Sequence, residues 1–300
     1  MHIAILTESR YENPSEVNPY IENILMEDSL VAEALIKHGF QVSRLDWARK
    51  GIDWQAFDFT LFRSTWDYFD RFEEFDQWLN ESKTKTSFIN PFEQIKWNLD
   101  KHYLLDLESK GVKIPATLTL KKGIKESLEH IFVQSGWKEA ILKPMISGGA
   151  RHTYRLNPKN IFNHESLFKE LILKEDYMLQ EFQPQIMHKG EISMMVFGGK
   201  YSHSILKIAK KGDFRVQDDF GGTVHEYVPN PEEIEFAENV TRLCNTMPIY
   251  ARVDVTWDEF QKPILMELEL IEPELWFRFN SESAIQFAEA VAQHINRRIP

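Results

Sequence analysis

The chain has 300 residues, 43% of them hydrophobic, which is enough for a well-buried core and for two or three domains. Its formal net charge of -11 argues against a general nucleic-acid binder, because phosphate attraction needs clustered Lys and Arg, but leaves room for an anionic small ligand held by a few local cations. A single cysteine, Cys244, rules out an internal disulfide framework, fits a reducing compartment and reads as a small apolar filler on a helix. No charged leader precedes a long apolar region, and no segment reaches the roughly 20 apolar residues of a membrane span. A cytoplasmic globular protein with neither nucleic acid nor membrane as partner is expected.

The first ninety residues alternate strand and helix. A strand over Ile3–Leu6 is followed by a polar loop and an amphipathic helix with Leu30, Val31, Ala34 and Leu35 on one face, closed by Gly39. Strands follow at Phe40–Leu45 and Phe59–Phe62, and this order predicts a small doubly wound parallel sheet. Directly after the third strand stands Arg63-Ser64-Thr65-Trp66-Asp67-Tyr68, where ligands gather in such sheets. Arg63 beside Trp66 and Tyr68 suits a carboxylate; equally, the segment reads as a turn with Asp67 capping a helix whose face is Phe72, Phe75, Trp78 and Leu79.

Asn90-Pro91 marks a boundary, and one helix is expected from about Glu93 to Lys110, closed by Gly111. Strands at Ala140–Pro144 and Tyr177–Phe182 flank a helix near Glu165–Ile172. Strands Ile192–Phe197 and Lys200–Ala209 meet at a Gly198-Gly199 turn. A helix at about Pro231–Thr246 leads to strands Tyr250–Thr256 and Ile264–Leu270, and a last helix carries Ile285, Ala288, Ala292 and Ile295 on one face with Arg297 and Arg298 in its final turn. The expected units are residues 1–92, 93–180 and 181–300.

Alternation places Asp254 on one face of its strand with Arg252 and Thr256, and Glu267 with Glu269 on one face of the next. Pairing the two strands as a hairpin crowds three carboxylates together, and like charges across a ladder need something positive between them. An arginine or lysine network meets that need, and so does a hard divalent cation such as magnesium. Glu272-Pro273-Glu274 continues the acidity beyond the strand, where both glutamates could be surface. Lys143 ends an apolar strand and feeds Ser147-Gly148-Gly149-Ala150-Arg151, a turn whose backbone N–H groups could close over phosphates.

Taken in order, Asn98-Leu99-Asp100-Lys101, Ile141-Leu142-Lys143-Pro144, Ser147-Gly148-Gly149, Leu179-Gln180-Glu181-Phe182, Gly190-Glu191, Gly212-Asp213-Phe214-Arg215, Asp254 and Glu267-Leu268-Glu269 resemble the ATP-grasp superfamily. The resemblance is to its glutathione synthetase and ribosomal-protein glutamate ligase branch. Arg63-Ser64-Thr65-Trp66-Asp67-Tyr68, Ala251-Arg252-Val253-Asp254 and Glu267-Leu268-Glu269-Leu270-Ile271-Glu272-Pro273 look like the group that holds the O-ureido-serine cyclo-ligase of D-cycloserine biosynthesis.

The resemblance implies an α/β (α+β) protein of ATP-grasp fold, in which two α+β subdomains clasp ATP behind the parallel-sheet domain. Lys101 and Lys143 would bind nucleotide phosphates, with Ser147, Gly148 and Gly149 as lid. Gln180, Glu181 and Phe182 would line the adenine pocket, and Glu191 would hold the ribose. Asp254, Glu267 and Glu269 would hold two magnesium ions, with manganese as a substitute; relatives often have asparagine where Glu269 stands. Lys207, Arg215 and Arg252 would act on the transferred phosphate and the substrate, although Lys207 could equally pair with Glu191 or Asp213, and Arg252 could neutralise Glu267. Arg63, Ser64, Trp66, Asp67, Tyr68, Gly221 and Gly222 would meet the substrate.

The implied activity is ATP-dependent ligation of a small carboxylate and an amine through an acyl-phosphate, within one molecule or between two. A small-molecule kinase and a non-catalytic ATP-binding regulator are the alternatives on the same fold. Relatives form dimers and tetramers, which makes a homo-oligomer the other implied partner.

Overall fold

The computed structural model describes residues 1–210, 212–216 and 221–297. These build three sheets. The N-terminal lobe runs β1 (His2–Thr7), α1 (Ser9–Glu12), α2 (Pro19–Lys37), β2 (Gln41–Asp46), β3 (Phe59–Ser64), α3 (Phe72–Ser82) and β4 (Ser87–Ile89). Its strands are all parallel, in the order β2-β1-β3-β4. Helix α2 starts where the Asn18 side chain accepts from the Ile21 N–H and Pro19 supplies a pre-set φ; it stops before Gly39, whose φ of 85° continues into the strand.

The single helix expected over residues 93–110 is two: α4 (Phe92–Asn98) and α5 (His102–Ser109). The break has a tertiary cause. The Lys101 N–H donates to the Met145 carbonyl (2.9 Å), and the Asp100 carboxylate takes the His102 N–H (2.9 Å). Residues 93–112, grouped by sequence with the central unit, pack elsewhere: Ile95 and Leu99 join the N-terminal core, while Tyr103, Leu104, Leu107 and Val112 join the core of the C-terminal sheet.

The central lobe holds β5 (Thr117–Leu120), α6 (Leu128–Ser135), β6 (Ala140–Pro144), β7 (Tyr154–Leu156), α7 (Ile161–Leu171) and β8 (Tyr177–Glu181), with the antiparallel order β5-β8-β6-β7. Strands β5 and β7 and helix α6 had no clear sequence signal, being short and interrupted by polar turns. The C-terminal lobe adds α8 (Gln185–Lys189), β9 (Glu191–Phe197), β10 (Lys200–Ile208), β11 (Thr223–Glu226), α9 (Pro231–Arg242), β12 (Tyr250–Trp257), β13 (Pro263–Glu269) and α10 (Ser283–Asn296). Its antiparallel order is β11-β10-β9-β12-β13. Asn230 and Glu233 form a reciprocal capping box on α9.

Helix α10 departs from expectation at one position. Ile285 is 41% exposed, and the buried face is Ala284, Phe287, Ala288, Val291, Ala292 and Ile295. Arg298 lies outside the described residues. This helix joins the lobes, because one apolar core contains Ile3, Ile5 and Leu61 of the parallel sheet, Met195, Phe197 and Ile205 of the C-terminal sheet, and the α10 face. No helix among the described residues is long and apolar enough to cross a membrane.

Candidate active site

A cleft of about 530 Å³ opens where the three lobes meet. Strand alternation in β12 and β13 delivers most of its charge. In the antiparallel register Asp254 stands opposite Glu267 and Arg252 opposite Glu269. Each carboxylate has taken a cation. Asp254 accepts from Arg252 (2.8 Å), from Lys207 (3.2 Å) and from the Ser193 hydroxyl (2.6 Å), which together hold it well below the usual carboxylate range. Lys207 also pairs with Glu191 (2.7 Å), Lys101 with Glu267, and Arg252 with Glu269.

The expectation of three carboxylates gathered for metal is therefore modified. Among the described residues no group of three such side chains is arranged to hold an ion, because Arg252 stands between Asp254 and Glu269 and relieves their repulsion. Burial drives Glu269 up to about 8 despite Arg252. Lys207 makes the Glu191 pair and adds one to Asp254, while Asp213 is taken by Arg215 (2.7 Å) and lowered to about 2.

Two lysines approach from the opposite wall. Lys101 is buried, because the helix break turns it inward, and its Nζ also donates to the Ser147 carbonyl (3.0 Å). Lys143 lines the cleft at the end of β6 with no ion pair among the described residues, and burial lowers it from 10.5 to about 8. The turn after it needs its glycines. At Gly148 a Cβ would come within 2.7 Å of the Phe69 ring, and Gly149 has a φ of 55°. Arg151 ties this turn to Glu175 (2.9 Å) and to Asp70 of the N-terminal lobe (3.4 Å).

Gln180 lines the cleft and donates to the Thr117 hydroxyl (3.0 Å). The Glu181 and Phe182 side chains do not line it; their N–H groups donate to the Ala116 and Glu139 carbonyls, and Arg155 covers the Phe182 ring. The chain matches the prokaryotic glutathione synthetase ATP-grasp domain over residues 113–262 and the N-terminal domain of the D-cycloserine synthetase DcsG over residues 3–90. The chain belongs to the ATP-grasp family.

Similar proteins and similar folds extend over most or all of the chain. The cycloserine biosynthesis protein DcsG of Streptomyces lavendulae is 26% identical, over 88% of this chain and 92% of that one. The crystal structure of the D-cycloserine synthetase DcsG superimposes with a TM-score of 0.84 at 23% identity, covering 98% of this chain and 99% of the other. A D-alanine–D-alanine ligase from Bacillus anthracis superimposes with a TM-score of 0.68 at 13% identity over the full length of both. The ATP-grasp fold expected from the motif order is the fold found.

The substrate segment expected after β3 is only partly in the cleft of this ATP-grasp protein. Trp66 lines it. Arg63 and Ser64 do not: β3 runs two residues longer than expected and carries both into the core, where Ser64 bonds Thr7 (2.7 Å). Arg63, 3% exposed, donates to Glu27 and to the Pro273 carbonyl (3.0 Å). Asp67 caps nothing and instead accepts from Trp47 and Arg71 (2.7 Å each), while Tyr68 is buried on Phe75. Gly221 and Gly222 sit beside β11, off the cleft wall.

Other lining residues escaped the sequence reading. Tyr11, Tyr20 and Trp66 form a triangle of rings with centroids 5.9–6.4 Å apart. Glu272, Glu274 and Trp276 line the cleft from the loop after β13, so the reading of both glutamates as surface is corrected. That loop is clamped from below. Glu27 accepts the Leu275 and Phe277 N–H groups (2.7 and 3.2 Å) as well as Arg63, and Trp66 donates to the Glu272 carbonyl (2.8 Å). The only signal for Tyr11 and Tyr20 was their position beyond the carboxyl end of β1.

Proposed function

We propose that this ATP-grasp protein is a carboxylate–amine ligase that activates a small amino-acid-like substrate as an acyl-phosphate, with ring closure inside one molecule as the favoured outcome. The observation that carries the reading is the pairing in the cleft: two inward lysines, one of them without a counter-ion among the described residues, face the Asp254–Glu267 carboxylate pair. A half-buried ammonium without a partner is costly, and a phosphate arriving beside it removes that cost. Similarity to a cycloserine biosynthesis protein over most of both chains supports a small substrate carrying both reacting groups.

In this reading Lys101 and Lys143 hold the phosphates, Gln180 and the Glu181–Phe182 backbone face the adenine, and Glu191 takes the ribose once Lys207 turns to the transferred phosphate. Arg215 and Arg252 counter charge on the phosphoryl group and on the substrate carboxylate. Asp254, Glu267 and Glu269 are all carboxylate-oxygen donors of the kind hard divalent cations take, and would hold them once Arg252 and Lys101 give these oxygens up; bound there, magnesium would neutralise phosphate charge during transfer. Among the described residues the cleft is lined by six acidic and six basic side chains, most of them already paired, so a triphosphate brings its own need for cations.

The substrate carboxylate attacks the γ-phosphate, ADP leaves, and Lys207 and Arg215 disperse the charge as the group moves. The Ser147–Arg151 turn, lying on Phe69, keeps water from the acyl-phosphate. The test is incubation with ATP, magnesium and a panel of small amino acids with hydroxylamine present. Hydroxamate formed together with ADP is the expected result. ADP with a stable phosphorylated alcohol would mark a kinase and reject the ligase reading, and nucleotide binding with no turnover would mark a regulator.

A further inference from the structure

Among the described residues six carboxylates line the cleft, and five are already spoken for. Asp254 and Glu269 pair with Arg252, Glu191 with Lys207, Glu267 with Lys101, and Glu274 with Arg278. Glu272 has no cation among the described residues; its side chain meets the Tyr68 hydroxyl instead. Its backbone is among the most tightly fixed in the cleft. Trp66 holds the Glu272 carbonyl, Arg63 the Pro273 carbonyl (3.0 Å), and Tyr250 the Ile271 carbonyl (2.7 Å). Glu272 thus lines the cleft from a fixed loop, beside Trp66 of the Tyr11–Tyr20–Trp66 triangle.

From this geometry we infer that Glu272 is the general base that receives the proton from the attacking amine. The inference rests on the ligase reading above. When the amine arrives as an ammonium, its first proton passes to the Glu272 carboxylate and frees the nitrogen lone pair. That pair forms the bond to the acyl carbon, and the C–O bond to phosphate breaks with its electrons leaving on phosphate. The second N–H proton departs on the released phosphate. Asp254, Glu191, Glu267 and Glu274 are held by cations and are poor acceptors for this proton, and Glu269 is both paired with Arg252 and assigned to the metal in the reading above, which makes Glu272 the group suited to it.

Burial pushes the Glu272 carboxyl up to about 7, against the pull of the Tyr68 hydroxyl and of Lys101 and with the push of Glu267. Glu269 on β13, and Arg63 and Tyr250 beneath the loop, are the other charged or titratable groups around it. A group near neutrality accepts and returns a proton readily at physiological pH.

The test compares two nucleophiles on one acyl-phosphate. Hydroxylamine is neutral at pH 7 and needs no base, whereas the native amine does. The donor that yields hydroxamate in the wild-type panel is assayed with and without hydroxylamine in Glu272→Gln. Amide or ring product is expected to fall about 100-fold or more while hydroxamate falls only a few-fold. The deficit is expected to shrink as pH rises and the amine deprotonates unaided, and formate is expected to restore part of the product in Glu272→Ala. Equal loss of both products, with no rescue by pH or formate, would assign Glu272 a structural role and overturn the inference, as would product formation at the wild-type rate. Absence of hydroxamate in the wild type would instead reject the ligase reading itself, and the base with it.

Discussion

Two parts of the cleft wall are built on different principles. The β12–β13 part takes its chemistry from strand alternation: side chains two residues apart share a face, and the register fixes which carboxylate meets which cation. The part under the parallel sheet takes its chemistry from loops, namely the segment after β1 and the one after β13, and fixes them by buried side-chain bonds to backbone. The first is rigid because it is a sheet. The second is rigid because Glu27 and Arg63 make it so.

The largest expected effect falls on the sheet side. Glu267→Gln should lower turnover about 1000-fold or more, since it removes a ligand for the cation that neutralises the reacting phosphates, while circular dichroism shows the fold retained. Near-wild-type turnover would break the assignment of that wall to the nucleotide.

On the loop side, Arg63→Met should act through structure. It leaves the Glu27 charge buried without its partner, a loss of about 3–5 kcal/mol by analogy with other buried pairs, read by urea unfolding. Nucleotide affinity measured on the folded variant should change little, whereas substrate KM should rise, because the loop bearing Glu272, Glu274 and Trp276 loses its clamp. Unaltered stability would show that the two parts are not held differently after all.

A smaller effect separates the lysines. Desolvation lowers the Lys143 ammonium to about 8, and phosphate favours its charged form, so ATP affinity should weaken by up to about tenfold per pH unit above 8. Lys143→Arg should abolish that slope. The same shift has a stability sign: between about 8 and its ordinary 10.5 the unfolded chain binds the extra proton, so unfolding free energy from this residue should rise with pH across that window. A flat ATP affinity from pH 7 to 10 in the wild type would contradict the half-buried, unpaired state of Lys143.

What was legible in the sequence follows the same division. Asp254, Glu267 and Glu269 lie on strands of clear alternation, and Lys143 was marked by its place between an apolar strand and a glycine turn. Gln180 was found only through the family's motif order, and the fold class followed from strand–helix order and motif order. Arg63 was misplaced because β3 runs two residues past its apolar stretch, and a strand end looks like a loop when the buried partner, Glu27, lies on a distant helix. Lys101 was found only through the family's motif order; the helix break that aims it depends on the Met145 carbonyl, a tertiary contact without a local signature. Glu272 and Glu274 read as surface because burial of a loop carboxylate depends on what lies over it.

The smallest effect concerns the contact between the two parts. Phe69→Leu should loosen the turn lying on Gly148 and raise uncoupled ATP hydrolysis a few-fold, measured as ADP formed in excess of product, with ATP affinity preserved. Tightly coupled turnover in that variant would show that the turn closes without help from the N-terminal lobe.

The central claim is that the substrate carboxylate becomes an acyl-phosphate in this cleft. It is tested most directly by isotope transfer: the carboxylate of the donor found with hydroxylamine is labelled with heavy oxygen, and the inorganic phosphate released during turnover is analysed by mass spectrometry. One labelled oxygen in each released phosphate is the expected result. Unlabelled phosphate, released at the same rate as product, would contradict the account.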